Sequence, residues 1–306
     1  KVRVLSRPEI NREVLPEIAK QLQKENIIYD SRIKELVDVV HGVDPWLFDI
    51  TQKLTIVRRL EKCFPVIEDA GCRIGIGVAT GADKVFIRPC EGLDIEDDRK
   101  LPLLQTEDII SGEVAWRGNC LVNPYDDAGN LVDLRAYPKL ASYFKMHEDV
   151  LRNRSCAKKS GASWYKTIDR ISHSIISKEK ILIPDIKGVA SIVLEKGGYY
   201  PHHNLYYIVS DVWDMSVLQM VLQSGIAALF VGAYSVEMQG GCLRFQAQYL
   251  RRIRMPHWGS IPLHLQLELR EAALSVDPLR RFATVCELYG LSASEADLVR
   301  PIIEAA

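Results

Sequence analysis

The seven cysteines of this chain include no C-x-x-C pair, and their number is odd. Disulfide frameworks and structural zinc sites draw their ligands from tight spacings, so neither is expected; the thiols read as buried and reduced. Long hydrophobic runs are also missing. The longest, 217–231, is broken by Gln219, Gln223, Ser224 and Gly225, which makes it too short and too polar to span a bilayer. The N-terminal residues lead quickly into polar sequence, so no signal peptide is visible. A cytoplasmic protein with no membrane partner is the expectation. Hydrolase signatures are absent as well: there is no G-x-S-x-G and no H-E-x-x-H. The paired carboxylates Asp97-Asp98 and Asp126-Asp127 fall in loops. On a strand, His202 and His203 would point to opposite faces, which excludes a shared metal. No catalytic set and no metal site are expected.

Net charge is nearly absent too, at -1 over 306 residues, but the average conceals a pattern. Residues 1–150 carry -5, residues 151–256 carry +7 and residues 257–306 carry -3. A basic middle between acidic flanks fits a polyanionic partner for the middle segment, and also fits a solvated charged face.

What is present is a mixture of two periods. The first seventy residues read as helices, from the spacing of Val14, Ile18 and Leu22, and of Ile33, Leu36, Val37 and Val40. Asp44-Pro45 opens a further helix over 46–63, striped by Leu47, Ile50, Leu54, Val57 and Leu60. From Gly71 the period shortens: Ile74, Ile76 and Val78 alternate with glycines, and Val85-Phe86-Ile87 follows a turn, predicting a strand pair. Residues 91–98 read as an acidic exposed loop. Residues 121–125 read as a strand ended by the turn at 126–130. Helix returns over 137–154. Strands are expected at 181–183, 192–194 and 205–209, then a helix capped by Asp214 and a tight turn at Gly240-Gly241. The last fifty residues read as helices, with Pro278 opening one, Gly290 stopping it and Ser292-x-x-Glu295 boxing the next.

Two motifs invite a catalytic reading. Gly75-x-Gly77-x-x-x-Gly81 follows Ile74 as a phosphate-cradling loop would, but its spacing is not G-x-G-x-x-G and no helix is expected after it. Close backbone approach within a sheet accounts for Gly75 and Gly77 better. Asn123-Pro124-Tyr125 lacks one proline of the N-P-P-Y tetrapeptide with which adenine methyltransferases hold a flipped base. It reads as a strand ending in a turn.

The basic middle interleaves cations with aromatics: Trp164-Tyr165-Lys166, Asp169-Arg170, then Lys178, Lys180 and Lys187. Tyr199-Tyr200-Pro201-His202-His203-Asn204 follows, then Arg244, Gln246, Gln248, Arg251, Arg252 and Arg254. Lys and Arg neutralise phosphates, whereas Arg, Asn, Gln and His can read base edges and aromatics can stack.

Read in order, several strings carry a resemblance: FPVIEDAGCRIGIGVATGADKVFI (64–87), KLPLLQTEDI (100–109), YPKLASYFKMHEDVLRNR (137–154), WYKTIDR (164–170), KILIPDI (180–186), YYPHHNLYYI (199–208) and GGCLRFQAQYLRRIRMP (240–256). Together they resemble the C-terminal specificity region of TaqI-like adenine-N6 DNA methyltransferases, including fused restriction–modification enzymes. The resemblance spans roughly 45–290. It implies an α+β fold, a strand-rich mixed centre flanked by helices, without a complete Rossmann methyltransferase domain. It divides the chain into a helical connector (1–65), a target recognition domain (66–256) and a helical subdomain (257–306). The partners it implies are double-stranded DNA and an N-terminal catalytic domain of the same protein. S-adenosylmethionine would bind that other domain, and no cofactor is expected in this chain. By position, the residues expected to approach DNA are Thr80, Lys84, Gln105, Trp164, Tyr165, Arg170, Lys180, His202, His203, Asn204, Arg244 and Gln246. The rival expectations are a self-contained nucleotide- or S-adenosylmethionine-binding enzyme using residues 75–87, and an interaction module built on the terminal helices.

Overall fold

The computed structural model describes residues 2–5, 11–23, 33–36, 51–158, 161–185, 192–235 and 243–300. At the N-terminal end, β1 (Val2–Leu5) pairs antiparallel with β2 (Ile33–Leu36), and α1 (Leu15–Leu22) lies between them in sequence. The helix at Val14, Ile18 and Leu22 is as expected, but 33–36 is a strand. Four residues fit either period, and a partner strand decides the outcome. The expected start of the next helix, at 44–50, and the glycine pair at 240–241 lie outside the described residues.

Three stretches of chain build the first core. The helix α2 (Thr51–Cys63) buries Leu54, Val57 and Leu60 completely, the three-residue spacing that places one stripe inward. It packs near a four-stranded antiparallel sheet in the order β3 (Cys72–Ile76), β10 (Leu205–Ser210), β7 (Lys180–Pro184), β8 (Val193–Glu195). The third stretch is the apolar segment Met215–Tyr234, which consists of α7 (Met215–Val221), a π turn and α8 (Ala227–Tyr234). Asp214 caps it by accepting from the Ser216 and Val217 amides at 3.0 and 3.2 Å. Gly225 takes φ 94° inside the π turn, a conformation a side chain would strain. The segment is longer than the run expected from sequence, and is long and apolar enough to cross a membrane. However, 78% of its most apolar window is buried inside the protein. A helix apolar all round and covered all round is a core helix.

The C-terminal helices α10 (Leu263–Leu274), α11 (Pro278–Leu288) and α12 (Ala293–Val299) join this same core, through Leu269, Ala272, Val285 and Val299. The expected punctuation is present. Asp277 accepts from the Leu279 amide at 2.9 Å, Gly290 has φ 53°, and Ser292 and Glu295 form both halves of a capping box. Glu295 also takes a two-pronged grip from Arg59 of α2, at 3.0 Å to each oxygen. Helix α2, the first sheet and the C-terminal helices thus share one cluster of buried residues.

A second core lies under a sheet in the order β4 (Ile87–Pro89), β6 (Asn119–Val122), β5 (Lys100–Leu104), β9 (Tyr200–Pro201), antiparallel except for the parallel β5–β9 pair. Residues 83–86 were expected as strand and form a single helical turn, α3 (Asp83–Phe86). Val85 and Phe86 are both buried, which a turn permits and strand alternation forbids. The two strands at 72–76 and 87–89 therefore enter different sheets and make no hairpin. The helix expected over 137–154 breaks at His147 into α4 (Pro138–Met146) and α5 (Glu148–Asn153), and the short α6 (Ser155–Lys158) follows. A small third cluster, with Leu104, Ile109, Leu182, Val193 and Leu205, lies between the two sheets.

Cys90 and Cys120 form a disulfide, with Cα atoms 5.1 Å apart, contrary to the expectation of free thiols throughout. Thirty residues separate them in sequence, so spacing could not reveal the pair; the β4–β6 register creates it. Cys63, Cys72 and Cys286 are free thiols.

Candidate nucleic-acid interface

Segments that the chain order keeps apart meet at one place: the turn leaving β3 (77–84), the turn after β6 (123–131), residues 154–158 and 161–170, and the turn between β9 and β10. Backbone bonds stitch them together. Val78 donates to Pro201 O at 3.0 Å, His203 donates to Val78 O at 3.1 Å, and Asp169 donates to Ala79 O at 3.0 Å. The Asp169 carboxylate returns a bond from the Ala79 amide at 2.9 Å. The glycines of 75–81 explain the tight approach. A Cβ on Gly77 would lie 2.2 Å from His202 O and 2.3 Å from Pro201 O, and one on Gly75 would strike the Tyr207 ring at 2.2 Å. The space a phosphate would need is filled by the protein's own backbone and by tyrosine.

Arg154 locks the ensemble. Its guanidinium donates to Thr80 O and to Trp164 O, each at 2.9 Å, and its central carbon lies 5.2 Å from the centre of the Phe86 ring. Trp164 and Tyr165 are half-buried against Phe144, and Tyr165 donates to Val132 O at 2.8 Å. Arg152 lies 4.7 Å over the Trp164 ring. Between these parts runs an open groove of about 600 Å³ lined by Tyr125, Gly129, Asn130, Lys166, Thr167 and Arg170. Arg170 is exposed, with its aliphatic carbons close to Gly129.

Asn123-Pro124-Tyr125 is consumed by its own turn. The Asn123 side chain donates to Tyr125 O at 3.0 Å and accepts from the Tyr125 amide at 2.9 Å. The Tyr125 hydroxyl accepts from the Thr167 amide and meets the Thr167 hydroxyl at 3.1 Å. Both side chains are thus bonded within the protein, as the strand-and-turn reading expects.

The expected DNA-facing residues separate into three groups. Lys84, Trp164, Tyr165, Arg170, His202, His203 and Asn204 gather around the junction; Lys84, Arg170 and Asn204 are exposed, His203 is half-buried and His202 is buried. Arg244, Gln246 and Gln105 sit at its margins. Arg244 pairs with Asp185 at 2.8 Å, and Asp185 is tied by its amide to Asn204 O. Gln105 caps the turn 106–108 and accepts from the Asn119 amide group. The last two, Thr80 and Lys180, are buried. Thr80 is fully buried, with its hydroxyl 2.5 Å from Asp83 Oδ1. Lys180 is fully buried in an ion pair with Glu195, which also accepts from the Gly197 amide. Burial pulls the Lys180 amine below its usual pKa and pushes the Glu195 carboxyl above its own, ahead of their mutual attraction.

The histidine pair departs most from expectation. The residues lie in a turn, with Leu205 donating to His202 O at 2.8 Å, so strand alternation does not apply. Their ring centroids are 4.0 Å apart, and Asp83 Oδ2 is 3.4 Å from His202 Nε2. Burial and the neighbouring imidazole both hold His202 below the usual histidine pKa. Sequence reasoning missed Asp83 and Arg154 as members of the junction. Each joins it through contacts to residues far away in the chain, which no local spacing reveals.

No family model matches this chain. It is 50% identical over 294 residues, 96% of its length, to the type II methyltransferase M.PaeR7I of Pseudomonas aeruginosa. It is 46% identical over 300 residues to the type II methyltransferase M.XhoI of Xanthomonas vasicola. The chain spans about half the length of these relatives, 51% and 55% respectively. Among solved structures, the type IIL restriction-modification enzyme MmeI in complex with DNA superposes with a TM-score of 0.52 at 11% identity, covering 76% of this chain and 35% of that one. That likeness bears on the fold, which is α+β with two central sheets and flanking helices. The chain's relatives are type II methyltransferases, and it corresponds to part of their length.

Proposed function

We propose that this chain is the target-recognition region of a site-specific adenine-N6 DNA methyltransferase of a restriction–modification system. The observation that carries the reading is the 50% identity across nearly the whole chain to a type II methyltransferase twice its length. The groove beside Lys166 and Arg170 supports it, because two cations meet there beside the Tyr125 ring. The fold shared with a restriction-modification enzyme solved on DNA points the same way. Arg170, Lys84, Asn204 and the His203 edge supply contacts to phosphates and bases; Trp164, Tyr165, Arg244, Gln246 and Gln105 shape the surface around them. Thr80 and Lys180 act from beneath, holding the turn and the sheet.

Methyl transfer belongs to the other half of the protein. Type II methyltransferases generally use S-adenosylmethionine, but the residues here do not fit that ligand: the glycine segment is closed and Asn123 and Tyr125 bond each other's turn. The same closure argues against a self-contained nucleotide enzyme at 75–87. That catalytic half is the protein partner of this chain, and bacterial cytoplasm is the compartment. The test is an incorporation assay. The purified chain, given S-adenosylmethionine and duplex DNA, transfers no methyl group but retards the duplex in a gel. Methylated adenine, or no retardation at low salt, would overturn the reading.

A further inference from the structure

The turn between β9 and β10 places two adjacent imidazoles on the same side, against the carboxylate that opens α3. One donor atom each from Asp83, His202 and His203 lies within 4.8 Å of the others. His202 is 3% exposed, yet its Nδ1 has no hydrogen-bond partner and its Nε2 meets only the Asp83 carboxylate at 3.4 Å, and Nδ1 of His203 has none. A buried polar group without a full partner carries a desolvation penalty, so two unmet imidazole nitrogens and a third held only by a long contact, all at one point, call for a ligand.

We propose that Asp83, His202 and His203 form a binding site for a divalent transition-metal ion of the zinc class. Two imidazoles and one carboxylate are the borderline donors that Zn²⁺, Co²⁺ and Ni²⁺ take, whereas Mg²⁺ and Ca²⁺ require oxygen ligands throughout. Three protein ligands leave a fourth position open. Tetrahedral bonds of about 2.0–2.2 Å need donors somewhat closer than 4.8 Å, which small side-chain rotations supply. The surroundings are those of a held site. Oδ1 of Asp83 is engaged by the Thr80 hydroxyl at 2.5 Å, leaving Oδ2 to face His202, and outer partners of this kind orient metal ligands. The histidine turn is anchored by backbone bonds to Val78, and Gly77 permits the close approach that brings the turn under Asp83. Metal here would bridge the helical turn between β3 and β4 to the turn between β9 and β10, two of the places where the chain crosses between the sheets, without any role in methyl transfer.

The test uses the tag-free chain, stripped with EDTA, desalted and alkylated at its accessible thiols so that Cys63 cannot compete. Titration with Zn²⁺ by calorimetry is expected to show one ion per chain, and Co²⁺ to give visible absorption bands of low-symmetry coordination. Zinc at about a hundredfold excess over Kd raises Tm by on the order of 5 °C, and Mg²⁺ at the same concentration does not. His203→Ala and Asp83→Asn each weaken zinc affinity by at least about tenfold. His203 is half-buried and Asp83 exposed, so both variants keep the fold where His202→Ala could lose it; circular dichroism checks this. Absence of binding, or unchanged affinity in both variants, would overturn the site.

Discussion

At the scale of single residues, the decisive contacts are those that remove a side chain from solvent. Lys180 shows this best. A lysine in a basic stretch reads as a phosphate ligand, but its β7 position opposite Glu195 across the β7–β8 register buries it as an ion pair. Removing one partner leaves a buried charge alone: Lys180→Met is expected to lower stability by about 3–5 kcal/mol in urea denaturation, and Lys180→Met with Glu195→Leu to recover most of it. A double variant no better than the single would show that the pair is not coupled. Arg170 is the opposite case, exposed beside the groove. Arg170→Ala should weaken duplex binding and reduce the slope of log K against log salt by about one, with unfolding unchanged. Affinity measured at three salt concentrations decides it; a slope equal to wild type removes Arg170 from the phosphate contacts.

Elements were legible where local chemistry acts alone. The Asp214 cap, the Pro278 start, the Gly290 stop and the Ser292–Glu295 box all stand where the sequence places them, since each is settled within one helical turn. Strands β7, β8 and β10 were also readable from their β-branched runs. The failures share one physical cause, which is a partner distant in the chain. Residues 33–36 become a strand because β1 pairs with them, and 83–86 become a turn because Val85 and Phe86 must both enter one core. The Cys90–Cys120 pair and the gathering of Asp83 with the two histidines likewise exist only in three dimensions. Gly77 ties these levels together. Gly77→Ala pushes a Cβ into the carbonyls of Pro201 and His202 and should cost about 1–3 kcal/mol, lowering Tm. Gly225→Ala, at φ 94°, should be destabilising by about 1–2 kcal/mol through backbone strain alone. Thermal melts that leave either variant at the wild-type Tm would contradict the geometry.

For the whole molecule, two sheets with separate cores share a seam of small apolar contacts, and the proposed recognition surface lies where their connecting turns cross. The charge count made the asymmetry visible, and the ordered strings made visible the resemblance and the α+β class that it implies. Neither could say which cations reach solvent. Of the +7 segment, Arg154, Lys180 and Arg244 are engaged by the protein itself. Arg170 stays exposed beside the groove, which is why the proposed phosphate contacts are placed there.

The central claim is that this chain reads DNA sequence. The most direct measurement is selection from a random-sequence duplex pool by the purified chain at two salt concentrations, with the retained DNA sequenced. The account predicts enrichment of one short motif, with retention falling at the higher salt. Salt-independent retention without enrichment, or no retention at low salt, would contradict it.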